Sequence, residues 1–131
     1  MEMKVYRCEV CGNIVYKLKD SGGSLVCCNK MMREMFPGMT DGAVEKHVPV
    51  VIKEGNRVTV KVGEIAHPMD VGHHIAFIAV TTNKGTYIRF LERADMLEPE
   101  AVAYFTLEED EKLEAAYEYC NLHGMFTFSY K

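Results

Sequence analysis

The sequence has no tryptophan and only four prolines among its 131 residues. It has no apolar run approaching the ~18 residues that a membrane-spanning helix needs, and no apolar targeting segment at its N-terminus. It also has no excess of basic residues, since 15 Lys and Arg face 19 Asp and Glu for a net charge of −4. These absences argue against a membrane protein and against a nucleic-acid-binding protein. We expect a cytoplasmic protein.

The negative charge is concentrated late in the chain. Residues 92–118 carry two basic and ten acidic side chains, whereas residues 1–36 and 37–91 have net charges of +2 and +1. We interpret the acidic segment as a solvated surface. A docking edge for a basic partner is the alternative.

Cysteine and histidine are abundant for a chain of this length, with five of each. Four of the cysteines form two pairs, Cys8-x-x-Cys11 and the adjacent Cys27-Cys28. Because thiols stay reduced in the cytoplasm, this pattern favours metal binding over disulfides, which remain the alternative. Four thiolates suit a tetrahedral iron or zinc ion, and the residue types do not decide between the two.

The Phe36-Pro37-Gly38 sequence predicts a junction between two parts, 1–36 and 37–131. The first part is too short to bury a sufficient core, so it needs a metal or a partner. The second part contains seven predicted strands, at 48–52, 57–62, 75–80, 86–90, 101–105, 114–120 and 125–130. Seven short strands are typical of an all-β, Ig-like sandwich.

Two details support this strand assignment. Glu54-Gly55-Asn56 and Asn83-Lys84-Gly85 are turn sequences that predict hairpins. Residues 107–119 have helical propensity, yet the alternation of Ala115, Tyr117 and Tyr119 predicts a strand at 114–120.

The other candidate ligands lie in loops and at strand ends of the second part: His47, His67, His73, His74, Cys120 and His123. A single histidine of this kind is more often a satisfied polar group than a ligand. Cys120-Asn-Leu-His123-Gly124, however, is a tight turn whose spacing lets a thiolate and an imidazole bind one metal. Because loops at the ends of a sandwich assemble sites, we predict a second metal centre there.

Glu45 and Lys46 precede His47 directly and follow the loop-like segment 40–43. If the next strand begins at about His47, both side chains are free to swing over a metal that His47 holds. The alternative is a surface ion pair that contributes nothing to function.

Taken in order, these motifs resemble one known family. The quoted segments are Cys8-x-x-Cys11, Cys27-Cys28, 41–50 (DGAVEKHVPV), 62–69 (VGEIAHPM) and 120–124 (CNLHG). Together they closely resemble desulfoferrodoxin, the two-iron type of superoxide reductase. The resemblance covers nearly the whole chain and is weakest over 92–118. It implies a desulforedoxin-like N-terminal module followed by a catalytic, seven-stranded Ig-like sandwich.

The same resemblance implies two iron sites and a set of site residues. One iron is expected at the four cysteines Cys8, Cys11, Cys27 and Cys28. The other is expected at four imidazoles and one thiolate, namely His47, His67, His73, His123 and Cys120, with His74 as a neighbour of the ligand. Glu45 and Lys46 match the family positions of the acidic and basic groups over the open face.

The implied reaction is the one-electron reduction of superoxide to hydrogen peroxide. The implied partners are superoxide, a small electron donor such as rubredoxin and a second copy of the chain in a homodimer. Two other functions remain as alternatives. One is an electron-transfer protein with a closed histidine site, and the other is a zinc-binding interaction module.

Overall fold

The chain forms two compact units in the computed structural model, which describes residues 2–38 and 44–130. One unit is Glu2–Phe36, and the other begins at Pro37. Within the described ranges, no helix is long and apolar enough to cross a membrane.

The first unit consists of short antiparallel strands. They are β1 (Val5–Arg7), β2 (Ile14–Tyr16), β3 (Val26–Cys27), β4 (Lys30–Met31) and β5 (Arg33–Glu34). The three-stranded sheet has the order β2-β1-β5, and β3 pairs with β4 as a separate hairpin. Its buried apolar side chains include Met3, Val5 and Met35. So small a core provides little stability of its own.

The second unit is a two-sheet sandwich. Its elements are α1 (Val44–His47), β6 (Pro49–Glu54), β7 (Arg57–Val62), β8 (Ile75–Thr82), β9 (Thr86–Phe90), β10 (Glu92–Arg93), β11 (Met96–Leu97), β12 (Val102–Thr106), β13 (Leu113–Cys120) and β14 (Gly124–Ser129). One sheet has the order β12-β7-β6 and the other β14-β13-β8-β9, while β10 and β11 form a small hairpin. The predicted all-β fold with a seven-stranded sandwich is confirmed.

The core of this unit comes from strand alternation. In β7, Val58, Val60 and Val62 are at most 2% exposed, while the residues between them face outward or lie half-buried. They pack in one cluster with Ile78 and Val80 of β8. Alternate residues of a strand share a face, so each sheet presents one apolar surface to the other.

β13 shows tertiary pairing overriding local helical propensity. It pairs with β8 on one side and with β14 on the other, which gives most of its backbone ladder partners on both sides. Tyr117 and Tyr119 share one face, as the alternation predicts. Ala116 and Cys120 share the other, and both faces are buried.

A bulge interrupts the ladder between β13 and β8 near its end. Tyr119 lies opposite Phe77 and Cys120 lies opposite Ile75, so Ala76 is an extra residue in β8. Bulges of this kind re-aim side chains near functional sites.

The chain before β6 differs from the expectation. Residues Val44–His47 form one helical turn, and the strand begins at Pro49 and not at about His47. The predicted loop at 40–43 lies outside the described residues.

Candidate metal centres

The four N-terminal cysteines converge in the first unit. They are free thiols, and their sulfur atoms all lie within 4.8 Å of one another. The Cys11 and Cys27 sulfurs are 3.7 Å apart, and those of Cys27 and Cys28 are 4.0 Å apart. Four thiolates bound at about 2.3 Å to a tetrahedral ion lie about 3.8 Å from each other. The cluster therefore fits a single tetrahedral metal ion.

The backbone of both loops brings the sulfurs together. Cys8 N–H donates to Asn13 O and Gly12 N–H donates to Cys8 O, each at 2.9 Å. Gly12 has φ +81°, which favours glycine at this turn. Cys28 and Asn29 have φ of 51° and 63°, a left-handed conformation that is costly for residues with a side chain. This turn lets two adjacent cysteines contribute to the same cluster.

The electrostatics of this cluster favour a bound cation. The Cys11 N–H, which donates to the Cys8 sulfur, lowers the pKa of Cys8 to about 6. The neighbouring Cys11 sulfur, followed by Cys8 and Cys27, raises the pKa of Cys28 to about 12. Four anionic sulfurs cannot gather unaided, whereas a bound metal stabilises all four thiolates. The Asn13 side-chain N–H also lies 3.7 Å from the Cys27 sulfur.

A second cluster forms from separate segments of the sandwich unit. His47 ends α1, His67 follows β7, His73 precedes β8, Cys120 ends β13, and His123 lies in the turn before β14. One donor atom from each of His47, His73, Cys120 and His123 lies within 4.8 Å of all the others. His67 Nε2 is 3.2 Å from His47 Nε2. The structure therefore brings together all five residues that the family resemblance implies as ligands of this centre.

The four imidazole rings are arranged as a square. His47 and His73 lie opposite each other, with centroids 6.4 Å apart and ring planes 30° from parallel. Neighbouring rings are 4.7–5.3 Å apart and nearly perpendicular, in the order His67, His47, His123, His73. His123 Nδ1 is 3.0 Å from His47 Nε2. Nitrogen ligands at right angles around a metal at about 2.1 Å are about 3.0 Å apart.

Hydrogen bonds and burial prepare these rings as neutral ligands. His67 Nδ1 lies 2.8 Å from Pro68 O, so it carries the proton and leaves the Nε2 lone pair available. Burial lowers the pKa of His67 to about 4, and burial also lowers the pKa of His73. His73 Nε2 is buried, and no described residue gives it a hydrogen bond. A bound metal ion would satisfy this nitrogen.

Cys120 provides the sulfur of this cluster. It is fully buried, and its sulfur lies 3.8 Å from His123 Nδ1. Burial raises the pKa of Cys120, while hydrogen bonds from the backbone N–H groups of His123 and Leu122 act in the opposite direction. A cation is needed to hold this buried sulfur as a thiolate.

Glu118 is a buried acid that the sequence reasoning missed. Both of its carboxylate oxygens are buried without a hydrogen-bond partner among the described residues. Burial raises the pKa of Glu118 to about 9, which favours its protonated form. Its position on the same face of β13 as Ala116 and Cys120 was the available signal.

The remaining predicted residues are placed differently. Lys46 is exposed in α1, and its charge adds a small contribution to the lowered pKa of His73, which is due first to burial and then to His123. The side chain of Glu45 lies outside the part of the chain that the structure describes. The His74 ring contacts Glu92 Oε2 at 2.5 Å and Asp70 O at 3.0 Å, and so is not part of the square.

Comparisons with known proteins agree with this arrangement. The desulfoferrodoxin family model matches residues 39–129, and the model of the desulfoferrodoxin N-terminal domain matches residues 1–35. A desulfoferrodoxin from Nitratidesulfovibrio vulgaris is 44% identical over 123 residues, which cover 94% of this chain and 93% of that protein. A superoxide reductase from Thermococcus kodakarensis is 40% identical over 96 residues, covering 63% of this chain and 83% of that protein.

A solved structure shares the whole fold. The crystal structure of the superoxide reductase from Treponema pallidum superposes with a TM-score of 0.80 at 32% identity, covering 98% of this chain and all of that one. The family models, the relatives and the two ligand clusters lead to the same conclusion. This chain belongs to the desulfoferrodoxin family.

Proposed function

We propose that the chain is a superoxide reductase that converts superoxide to hydrogen peroxide at the His/Cys centre. The observation that carries this function is the square of four imidazoles with a buried cysteine sulfur beside it. Relatives named superoxide reductase match both in sequence and in structure. The balanced reaction consumes one electron, one superoxide and two protons for each hydrogen peroxide released.

The donor sets suit one iron in each unit. His47, His67, His73, His123 and Cys120 would hold the catalytic iron, with four borderline nitrogens and one soft sulfur. Cys8, Cys11, Cys27 and Cys28 would hold the second iron. When bound, ferrous iron supplies the electron that reduces superoxide.

The proposed donor set would leave a place for substrate at the iron. Cys120 is fully buried and approaches from the protein interior. The four imidazoles and the Cys120 thiolate would supply five ligands, and an iron that accepts six would have one place left for superoxide. The Leu122 and His123 N–H groups moderate how strongly the sulfur donates electron density.

Lys46 and Glu45 are the proposed catalytic side chains. Lys46 is exposed, and its charge acts on His73, so it would attract superoxide and orient a water that delivers a proton. We assign Glu45 the role of a carboxylate that would bind the oxidised iron after turnover. Replacing Glu45 with alanine should then change the absorption spectrum of the oxidised protein. An unchanged spectrum would contradict the assignment.

The two units have different roles in this proposal. Residues 1–36 form a desulforedoxin-like four-cysteine iron module, and residues 37–131 form the catalytic domain. The module acts either as an electron relay, which passes electrons to the other iron, or as a structural staple, which only stabilises the fold. A small electron donor re-reduces the protein. We propose that this donor is rubredoxin-like and that the protein works in the cytoplasm.

A homodimer is also part of the proposal. The small first unit exposes six large apolar side chains, which are Val10, Ile14, Leu18, Val26, Met31 and Phe36. A second copy of the chain would cover part of this surface. Sedimentation of the iron-loaded protein should give twice the mass of the chain, and a monomer at micromolar concentration would contradict this part of the proposal.

A superoxide pulse tests the function directly. The chemically reduced, iron-loaded protein is mixed with a pulse of superoxide under anaerobic conditions. We expect second-order oxidation of the His/Cys centre with one hydrogen peroxide formed per superoxide and no oxygen released. A protein that does not react is a closed electron-transfer protein, and a colourless zinc protein is an interaction module. Both outcomes would overturn the proposal.

A further inference from the structure

Asn121 lies between the proposed sulfur ligand Cys120 and Leu122, and none of the steps above uses it. Its side-chain amide contacts the backbone on both sides of His73. The Asn121 Oδ1 accepts the His74 N–H at 2.8 Å. The Asn121 Nδ2 donates to Gly72 O at 3.0 Å. Both the oxygen and the nitrogen of the Asn121 side-chain amide therefore form hydrogen bonds.

A third hydrogen bond ties the same two segments together. The backbone N–H of Asn121 donates to His74 O at 3.1 Å. Two segments almost fifty residues apart in sequence thus meet through one residue. One carries the Cys120 sulfur, and the other carries the His73 imidazole.

The loop of residues 70–74, called the His73 loop below, is also closed by hydrogen bonds that do not involve Asn121. Asp70 and His73 exchange two backbone hydrogen bonds of 3.0 and 3.1 Å. The two ring nitrogens of His74 face oxygen acceptors, with Asp70 O on one side and Glu92 Oε2 on the other. The loop behaves as a preformed unit, and Asn121 connects that unit to the Cys120 turn.

We propose that Asn121 is a positioning residue that keeps the His73 loop in register with Cys120, so that nitrogen and sulfur reach one metal ion. This inference rests on the proposed function only in that the His/Cys cluster must bind iron. Outer partners that orient metal ligands change metal affinity about 10–100-fold when they are removed. An effect of that size is expected here.

Iron release from the full-length, iron-loaded protein tests the proposal. Release to a chelator is followed by the thiolate-to-iron absorption of the His/Cys centre, and the four-cysteine centre of the same sample is the internal reference. We expect Asn121→Ala to release this iron about 10-fold faster or more, with a shifted absorption band. The reference centre should be unchanged.

A second variant and a matched control complete the design. Asn121→Asp keeps the acceptor for the His74 N–H and loses the donor to Gly72 O, so it should also release iron faster. If Asn121→Ala does not fold, iron release from Asn121→Asp is the test. Asn83→Ala is the control, because Asn83 Oδ1 accepts the Lys112 N–H at 2.8 Å beyond the opposite end of β8. Its release rate should equal that of the unmodified protein.

Each other outcome overturns the inference. Wild-type release and spectrum in the folded Asn121 variants mean that the hydrogen bonds do not position the ligands. Equal acceleration in Asn83→Ala means that general stability, and not positioning, governs release. If the unmodified chain takes up no iron at the His/Cys cluster, the proposed function fails together with the inference. If it holds iron and the Asn121 variants match it, the positioning role alone fails.

Discussion

Lys46 directly precedes the proposed ligand His47 in the sequence and carries a positive charge. It is exposed in α1. Guidance of a small anion by such a charge speeds capture, and salt weakens the effect. We expect Lys46→Ala to lower the second-order rate with superoxide by about 10-fold and to flatten its dependence on ionic strength. Pulse experiments at several salt concentrations measure both.

A matched lysine provides the control. Lys84 lies in the turn beyond the far end of β8, paired with Glu108 and Asp110 at 3.0 and 2.9 Å. Lys84→Ala removes the same charge and should leave the rate unchanged. If the two variants react equally fast, Lys46 has no local role.

Asn13 is a single residue with an expected effect on the first unit. Its side-chain N–H lies 3.7 Å from the Cys27 sulfur. A hydrogen bond to a thiolate ligand stabilises the more negative, reduced form of an iron centre and so raises its reduction potential. We expect Asn13→Ala to lower the potential of the four-cysteine centre in a spectroelectrochemical titration. The potential of the His/Cys centre is the internal control, and an unchanged four-cysteine potential would refute the role.

At the level of elements, the loop before β13 depends on one carboxylate. Glu111 accepts hydrogen bonds from the Thr82 hydroxyl, from the Tyr87 hydroxyl at 2.6 Å and from the Glu108 N–H at 2.9 Å. The Thr82 bond, followed by the Tyr87 bond, lowers the pKa of Glu111 below its ordinary 4.5. Its contribution to stability is therefore present above about pH 4.5 and lost as the pH falls through the lowered value.

The corresponding variant is Glu111→Gln. At pH 7 it should melt several degrees below the unmodified protein, and the difference should shrink as the pH falls below about 4. Thermal unfolding followed by circular dichroism at pH 7, 5 and 3.5 checks this. Glu109→Gln at the exposed neighbouring position is the control. A melting difference that persists unchanged at pH 3.5 would show that the carboxylate charge is not responsible.

The strands could be predicted because alternation and turn sequences are local signals. The turns around Gly55 and Gly85 define two hairpins, and the alternation in 114–120 identifies β13. The helical turn Val44–His47 has too short a pattern to reveal itself. The bulge at Ala76 depends on how β8 meets β13, which no local pattern encodes.

The candidate ligands could be named from residue type, spacing and family resemblance. Their outer partners could not, because these partners come from distant segments. Asn121 meets Gly72 and His74 only in the folded chain. Glu118 was hidden because its opposite-face neighbours, Tyr117 and Tyr119, supplied the alternation that predicted the strand.

At the scale of the whole molecule, the proposed metal centres lie in separate units. The four cysteines belong to Glu2–Phe36, and the His/Cys cluster belongs to the unit that begins at Pro37. We expect Cys8→Ser to lower the iron content from two to one per chain. The rate of reaction with a superoxide pulse should stay unchanged, because every proposed catalytic ligand is retained.

Steady-state turnover then separates the two roles of the first unit. With an electron donor, slower turnover of Cys8→Ser at an unchanged pulse rate identifies a relay, and unchanged turnover identifies a staple. Metal analysis and the visible spectrum verify which centre was lost. A Cys8→Ser protein that also loses iron from the His/Cys centre would show that the units do not bind metal independently.

The extra residue in β8 decides which of two adjacent histidines faces the metal. Val80 and Ile78 point into the core, and strict alternation would carry that inward phase to Ala76 and then to His74. Because Ala76 is an extra residue, the alternation of inward and outward side chains shifts by one position. Ile75 therefore points into the core, and His73, two residues earlier, points the same way. If Ala76 instead paired with Cys120 in a regular ladder, the same alternation would bring His74 to the cluster in place of His73. A single backbone insertion thus distinguishes two side chains of identical chemistry.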